Sequence, residues 1–195
     1  GTAEVLAAVK NELHGNIMFV FQPAEEGPPQ GEEGGAELML KEGIFKKYKP
    51  DVAFGLHIMS SLNSGQIGYR SGPIMASSDG FNITVNGKQT HGSAPWNGVD
   101  PIASAAQIVT GINQIVSRQV DITKEPAIIS IGQISGGVRG NIIPDTVQME
   151  GTIRNFDMDN REQIFNNIKT TATNMALASG AKADVKIEKG YPVTI

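Results

Sequence analysis

An α/β fold in two parts follows from three patterns in the 195 residues. The first third alternates helix-spaced apolar residues with short unbroken apolar runs, as a parallel sheet covered on both faces does. From about Asp79 the strands acquire one wet face, an antiparallel signature. From 79 to 190 the elements run β-α-β-β-α-β, the order of a ferredoxin-like unit in which two helices cover one face of a four-stranded antiparallel sheet.

The opening, Gly1 to Leu13, sets Val5, Leu6, Ala8, Val9 and Leu13 at helical spacing and stops at His14-Gly15. Asn16 to Phe21 is a continuous apolar run that reads as a buried strand. Gly34 to Phe45 reads as a second helix, and Asp51 to Ile58 as a second buried strand. Phe81, Ile83 and Val85 then alternate with Asn82, Thr84 and Asn86, and the strand ends at the Asn86-Gly87 turn signal. Asp100-Pro101 supplies an N-cap and an N1 proline for a helix whose stripe is Ile102, Ala105, Ile108, Val109, Ile112, Ile115 and Val116. Strands are expected from Ala127 to Ile134 and around Val147, Met149 and Ile153. A helix starting at Asp159, with Glu162 completing a capping box, carries Ile164, Ile168, Ala172 and Met175 before Gly180 ends it. Val185 and Ile187 mark the last strand. The two domains join near Gly68 to Ser78.

Composition narrows the function. With 39% hydrophobic and 18% charged residues the chain can bury a core. Its 16 Lys+Arg and 20 Asp+Glu give a formal charge of -4, so it lacks the basic footprint that would hold nucleic acid or an anionic membrane surface. No stretch approaches the roughly 18 to 20 apolar residues of a spanning helix, and the first residues lack a secretory pattern. Zero cysteines exclude disulfides and thiolate metal ligands within these residues, which fits a reducing compartment; a cytoplasmic location is expected.

Five places carry candidate chemistry. Phe21-Gln22-Pro23-Ala24-Glu25-Glu26-Gly27 sets two adjacent carboxylates just past a buried strand, where ligand sites gather in open α/β sheets. Neighbouring side chains off an extended chain diverge, so one carboxylate is free to bind a metal while the other carries a proton; a solvated acidic turn has the same composition. His57 ends the other apolar run and is a metal-ligand type, though by residue type alone a lone histidine on an apolar strand is more often a packed, hydrogen-bonded core residue. Thr90 to Trp96 is a polar loop with His91 and the only tryptophan, readable as functional or as a surface loop. Ser135 to Asp145 is too long and glycine-rich for a tight hairpin and offers the Asn141 amide. Arg154 lies opposite in parity to Val147, Met149 and Ile153 and so faces away from the core, where it can clamp a carboxylate or simply be solvated.

Taken in order, Gln22-Pro23-Ala24-Glu25-Glu26-Gly27, Gly55-Leu56-His57, Thr90-His91-Gly92-Ser93-Ala94-Pro95, Asn141-Ile142-Ile143-Pro144-Asp145 and Gly151-Thr152-Ile153-Arg154 resemble the metal-dependent amidohydrolase and metallopeptidase family of aminoacylases, hippurate hydrolase, indole-acetyl-amino-acid hydrolases and carboxypeptidase G. A histidine at 57, where many relatives have aspartate, makes the chain most similar to the hippurate hydrolase and N-acyl-amino-acid amidohydrolase branch. The resemblance implies part of a zinc-peptidase-like catalytic domain over 1–75, an inserted ferredoxin-like lid and dimerisation domain over 76–190, and a return to the catalytic domain over 191–195. It implies two divalent metal ions (zinc, manganese, cobalt or nickel), Glu25 as general base and acid, and Glu26 and His57 as metal ligands. In relatives the histidine matching His91 reaches a partner subunit's site and steadies the oxyanion. Residues matching Asn141 and Arg154 bind substrate, the arginine most naturally its carboxylate. A homodimer through the lid is expected.

The same family branch places a Cys-x-His pair of metal ligands upstream and a final histidine ligand downstream, and neither occurs in these 195 residues. The sequence therefore resembles the middle of such an enzyme and is expected to be inactive alone. The leading expectation is hydrolysis of the amide bond of N-acyl amino acids. A dipeptidase or carboxypeptidase of the same family, and a non-catalytic dimerisation module that retains the lid, are the alternatives.

Overall fold

The computed structural model describes residues 1–29 and 31–195. They divide into two compact units, Gly1–Ser61 and Leu62–Ile195.

The first unit holds helices α1 (Thr2–Ala8), α2 (Gly35–Lys41) and α3 (Ile44–Tyr48), with a 3-10 turn at Lys10–Glu12. The helix expected from Gly34 to Phe45 is thus two helices, because Gly43 enters the left-handed region at φ 83° and breaks the hydrogen-bond ladder between them. The buried strands expected at Asn16–Phe21 and Asp51–Ile58 are not formed among the described residues. A buried strand needs flanking strands to take up its N–H and C=O groups and helices over both faces. Here no ladder reaches either run, and the helices, of 7, 7 and 5 residues, bury only Gly35. Phe21 and Phe54 consequently stand 81% and 95% exposed.

The second unit is the ferredoxin-like arrangement. Its strands are β1 (Asp79–Asn86), β2 (Thr90–His91), β3 (Ala127–Gly136), β4 (Ile142–Ile143), β5 (Thr146–Asn155) and β6 (Lys182–Glu188), and its helices α4 (Pro101–Gln119) and α5 (Met158–Ala178). The main sheet has the order β3-β5-β1-β6, every neighbouring pair antiparallel. Asn86 pairs with Thr146 and Asp79 with Ile153, which places Phe81, Ile83, Val85, Val147, Met149 and Ile153 on one face. Both helices pack there, and Ile108, Ile112, Ile115, Ile164, Phe165 and Ile168 close the core. Each such side chain contributes on the order of 1.5–3 kcal/mol by leaving water. Gly111 lets the helices approach closely, since a Cβ there would overlap the Met175 side chain.

The caps follow from short polar side chains. The Asp100 carboxylate accepts the N–H groups of Ile102 and Ala103, as expected. The second cap differs: Asp157, not Asp159, caps α5, accepting the Asn160 N–H at 2.7 Å. Asp157 is the residue with extended backbone (φ -124°, ψ 126°), whereas Asp159 already lies inside the first turn. Glu162, assigned to a capping box, pairs with Lys189 on the surface. β3 runs past Ile134 to Gly136, and its pairing with β5 shifts by one residue between Ile131 and Gln133.

Candidate functional site

In the first unit, Glu25 and Glu26 sit in the turn Pro23–Glu26 and are exposed. The turn is closed by the Gly27 N–H on the Ala24 carbonyl at 3.1 Å and tied to α2 by the Gly35 N–H on the Pro23 carbonyl at 2.6 Å. Ala24 adopts φ 50°, a left-handed backbone disfavoured for a residue with a Cβ. His57 is exposed, with Nδ1 2.7 Å from the Ile58 carbonyl oxygen. A carbonyl only accepts, so Nδ1 carries a proton and Nε2 is the ring nitrogen left to ligate a metal. Among the described residues no three His, Cys, Asp or Glu side chains form a metal-holding group, so Glu25, Glu26 and His57 do not converge as a triad. The two strands whose ends would have carried them are the strands that do not form.

The second unit does bring two of the expected residues together. β2 pairs with β4, His91 opposite Ile142 and Thr90 opposite Ile143. The Gly92 N–H donates to the Asn141 carbonyl at 2.8 Å, so the loops bearing His91 and Asn141 are joined backbone to backbone. The His91 loop is internally fixed: the Ala94 N–H bonds the His91 carbonyl at 2.8 Å, and the Thr90 hydroxyl bonds the Ala94 carbonyl at 3.2 Å. Trp96, on the 3-10 turn Pro95–Asn97, remains 78% exposed. At His91 itself, Nδ1 accepts the backbone N–H of Ser93 at 3.1 Å and lies 2.7 Å from its Oγ. A nitrogen that receives an N–H is unprotonated, so the neutral imidazole bears its hydrogen on Nε2. That atom is a donor.

Arg154 lies on the sheet face opposite the helices, in the same parity as Gln148, Glu150 and Thr152. Its Nη1 donates to the Asp79 carbonyl at 3.3 Å, to the Ile153 carbonyl at 2.9 Å and to Thr152 Oγ1. Among the described residues Nε and Nη2 make no hydrogen bond, which leaves the bidentate edge of the guanidinium for a carboxylate.

A buried charge pair escaped the sequence reading. Asp79 accepts Arg161 Nε at 2.9 Å and Ser77 Oγ at 2.8 Å on Oδ2, and Arg161 Nη2 and the Gly190 N–H on Oδ1. Both side chains are almost wholly enclosed. Burial pushes the Asp79 carboxyl up, but the hydrogen bonds from Arg161, Ser77 and Gly190 outweigh it and hold the group below the ordinary carboxylate range. The available signal was parity: Asp79 falls in step with Phe81, Ile83 and Val85, and a charge in a core register requires a partner.

A family model for a peptidase dimerisation domain of the M20 type matches residues 76–179. The chain belongs to the M20 peptidase family. It is 41% identical over 196 residues to thermostable carboxypeptidase 2 of Saccharolobus solfataricus, a match covering 100% of this chain and 48% of that protein. It is 38% identical over 186 residues to N-acetylcysteine deacetylase of Bacillus subtilis, covering 95% and 47%. A solved Bacillus subtilis structure, a dinuclear metal-binding peptidase of the M20 family, superposes with a TM-score of 0.72 at 33% identity, covering 99% of this chain and 46% of that one. The chain spans about half the length of the curated relatives it matches.

Proposed function

We propose that the protein carrying this chain is a metal-dependent amidohydrolase that cleaves the amide bond of N-acyl amino acids. Residues 1–75 belong to its catalytic domain, 76–190 form a lid, and 191–195 return to the catalytic domain. The observation that carries the reading is the tie between the His91 and Asn141 loops, with His91 presenting Nε2–H as a donor.

The donors of the first unit suit a divalent ion in kind: a carboxylate at Glu26 and an imidazole at His57 whose free nitrogen is Nε2. These two residues would hold metal, zinc, manganese, cobalt or nickel, together with ligands beyond them, and the dinuclear relative supports two ions. Bound there, the ions would polarise the scissile carbonyl and acidify the attacking water.

This chain's own residues would do the rest. Glu25 accepts a proton from the attacking water and passes it to the leaving amine. His91 Nε2–H donates to the oxygen that gains negative charge as the carbonyl becomes tetrahedral. The Asn141 amide positions the substrate, and the free edge of Arg154 grips its carboxylate. A peptide substrate is the second reading, favoured by the likeness to a carboxypeptidase.

The lid would pair two subunits, in keeping with a dimerisation-domain match. The two sheet edges differ in a way that supports β3 as the pairing edge. β6 carries Lys182, Asp184, Lys186 and Glu188, charges of the sort that block edge pairing. β3, Ala127–Gly136, has no charge along ten residues and exposes Ile128 and Ile134. Two such edges meeting about a twofold axis would extend the sheet across both subunits.

Metal analysis of the full-length protein, followed by a screen of N-acetyl and N-benzoyl amino acids against dipeptides, tests the assignment. Bound divalent metal with turnover of the N-acyl amino acids supports it; turnover of peptides alone moves it to the second reading.

A further inference from the structure

We infer that the Asp79–Arg161 pair is a positioning device for Arg154, holding the substrate-facing guanidinium from the opposite side of the sheet. The inference rests on the reading of Arg154 as the carboxylate clamp and assigns residues which that reading does not.

The connection runs through one residue. The backbone carbonyl of Asp79 receives Arg154 Nη1 at 3.3 Å and the Thr152 hydroxyl at 3.2 Å, and Thr152 Oγ1 is itself an acceptor for Arg154 Nη1. Arg154 leans on its own strand, through the Ile153 carbonyl at 2.9 Å and Thr152 Oγ1, and across the sheet on the Asp79 peptide. That peptide is immobilised by the Asp79 side chain, which points the other way, into the helix-covered face, where four donors occupy its two oxygens. They come from three separate pieces of chain: Ser77 from the segment leading into β1, Arg161 from the first turns of α5, and Gly190 from the segment that follows β6. Arg161 Nη2 also bonds the Gly190 carbonyl at 3.0 Å. Gly190 lies so close to the Ser78 carbonyl that a Cβ would overlap it, and the Ser78 N–H bonds the Tyr191 carbonyl at 3.0 Å. Asp79 thus cannot shift without moving α5 and both connecting segments.

The energetics point the same way. A buried ion pair adds little net stability compared with apolar residues of similar volume, because desolvation offsets the attraction. What it supplies is direction: a planar fork meeting a carboxylate in a fixed orientation. Arg154 has a long side chain with several rotatable bonds, and an arginine anchored through Nη1 loses less freedom when its Nε–Nη2 edge binds a carboxylate.

The test uses full-length protein carrying Glu25→Gln to hold off turnover, and two probes, N-acetyl-leucine and N-acetyl-leucinamide, the second lacking the carboxylate. Calorimetry measures Kd for each in Arg154→Ala, Arg161→Lys, Ser77→Ala and the Arg154→Ala/Arg161→Lys double variant. Ser77→Ala removes one donor to Asp79 with minimal change in volume and keeps the test alive should the lysine variant fold poorly. Arg154→Ala is expected to weaken N-acetyl-leucine by at least about tenfold, since one charge-assisted hydrogen bond alone supplies that factor and the Nε–Nη2 edge offers two. Arg161→Lys and Ser77→Ala weaken the same probe several-fold and leave the carboxamide unchanged, and Arg161→Lys adds nothing further to Arg154→Ala in the double variant. If Arg154→Ala weakens N-acetyl-leucine while Arg161→Lys and Ser77→Ala do not, or if they weaken both probes alike, the positioning role is overturned and the clamp stands. If Arg154→Ala leaves binding unchanged, the clamp and the positioning role fall together.

Discussion

The Gly92 N–H lies 2.8 Å from the Asn141 carbonyl oxygen, a bond that closes two loops, separate in sequence, into one surface. It exists because the short ribbon of β2 and β4 sets His91 opposite Ile142. With the Ser93 N–H on Nδ1, the ring presents Nε2–H outward.

Ser93→Ala removes the hydroxyl beside Nδ1 but keeps the backbone N–H. In the full-length enzyme kcat should fall by about tenfold or less while KM holds. His91→Ala should cost about 100- to 1000-fold in kcat, as loss of an oxyanion donor does. Steady-state kinetics separates the two. A His91→Ala enzyme with undiminished kcat would remove the oxyanion role.

The Asp79–Arg161 pair sets an acid limit on stability. Asp79 has its pKa depressed in the folded state, so its contribution is present above the unfolded carboxylate pKa and is lost as pH falls through the lower folded value. Urea unfolding should show stability declining below about pH 4. Arg161→Met, which strands a buried carboxylate, should cost about 3–5 kcal/mol near neutral pH. In Asp79→Asn the decline below pH 4 should be smaller.

Neither of these relationships was disclosed by the sequence, although much of the fold that carries them was. β1 and β5 alternate cleanly because one face is wet, and Asp100-Pro101 marks a helix start by type and order, so the main elements of the ferredoxin-like half were legible. The N-cap of α5 was not: Asp157 and Asp159 are equivalent by type, and only the backbone at Asp157 separates them. The apolar runs at Asn16–Phe21 and Asp51–Ile58 misled for another reason. Strand formation depends on distant partners, and no local pattern reports whether a ladder is within reach. His91, Asn141 and Arg154 were readable as polar residues outside the core, but the bond joining the first two loops depends on β2–β4 pairing, for which two-residue strands leave no periodicity.

The helix-covered core should answer to truncation. Ile112 is fully buried between the helices and the sheet, and Ile112→Ala should lower unfolding free energy by about 2–5 kcal/mol. Gly111→Val should destabilise by about 1–3 kcal/mol, because its side chain must displace Met175. Thermal or denaturant unfolding measures both.

Charge placed on β3 should dissolve the dimer. Ile128→Lys with Ile134→Lys gives that edge the character β6 already has. Analytical ultracentrifugation of the full-length protein should then change from a twofold mass to a monomer. A dimer unaffected by both lysines would assign the interface elsewhere.

The most direct test pairs metal content with turnover in full-length Glu25→Gln. The account predicts divalent metal at the level of the unsubstituted protein and hydrolysis of N-acyl amino acids reduced by at least about 100-fold, since general acid–base transfer is lost while the ligands remain. Turnover at the unsubstituted rate would contradict it.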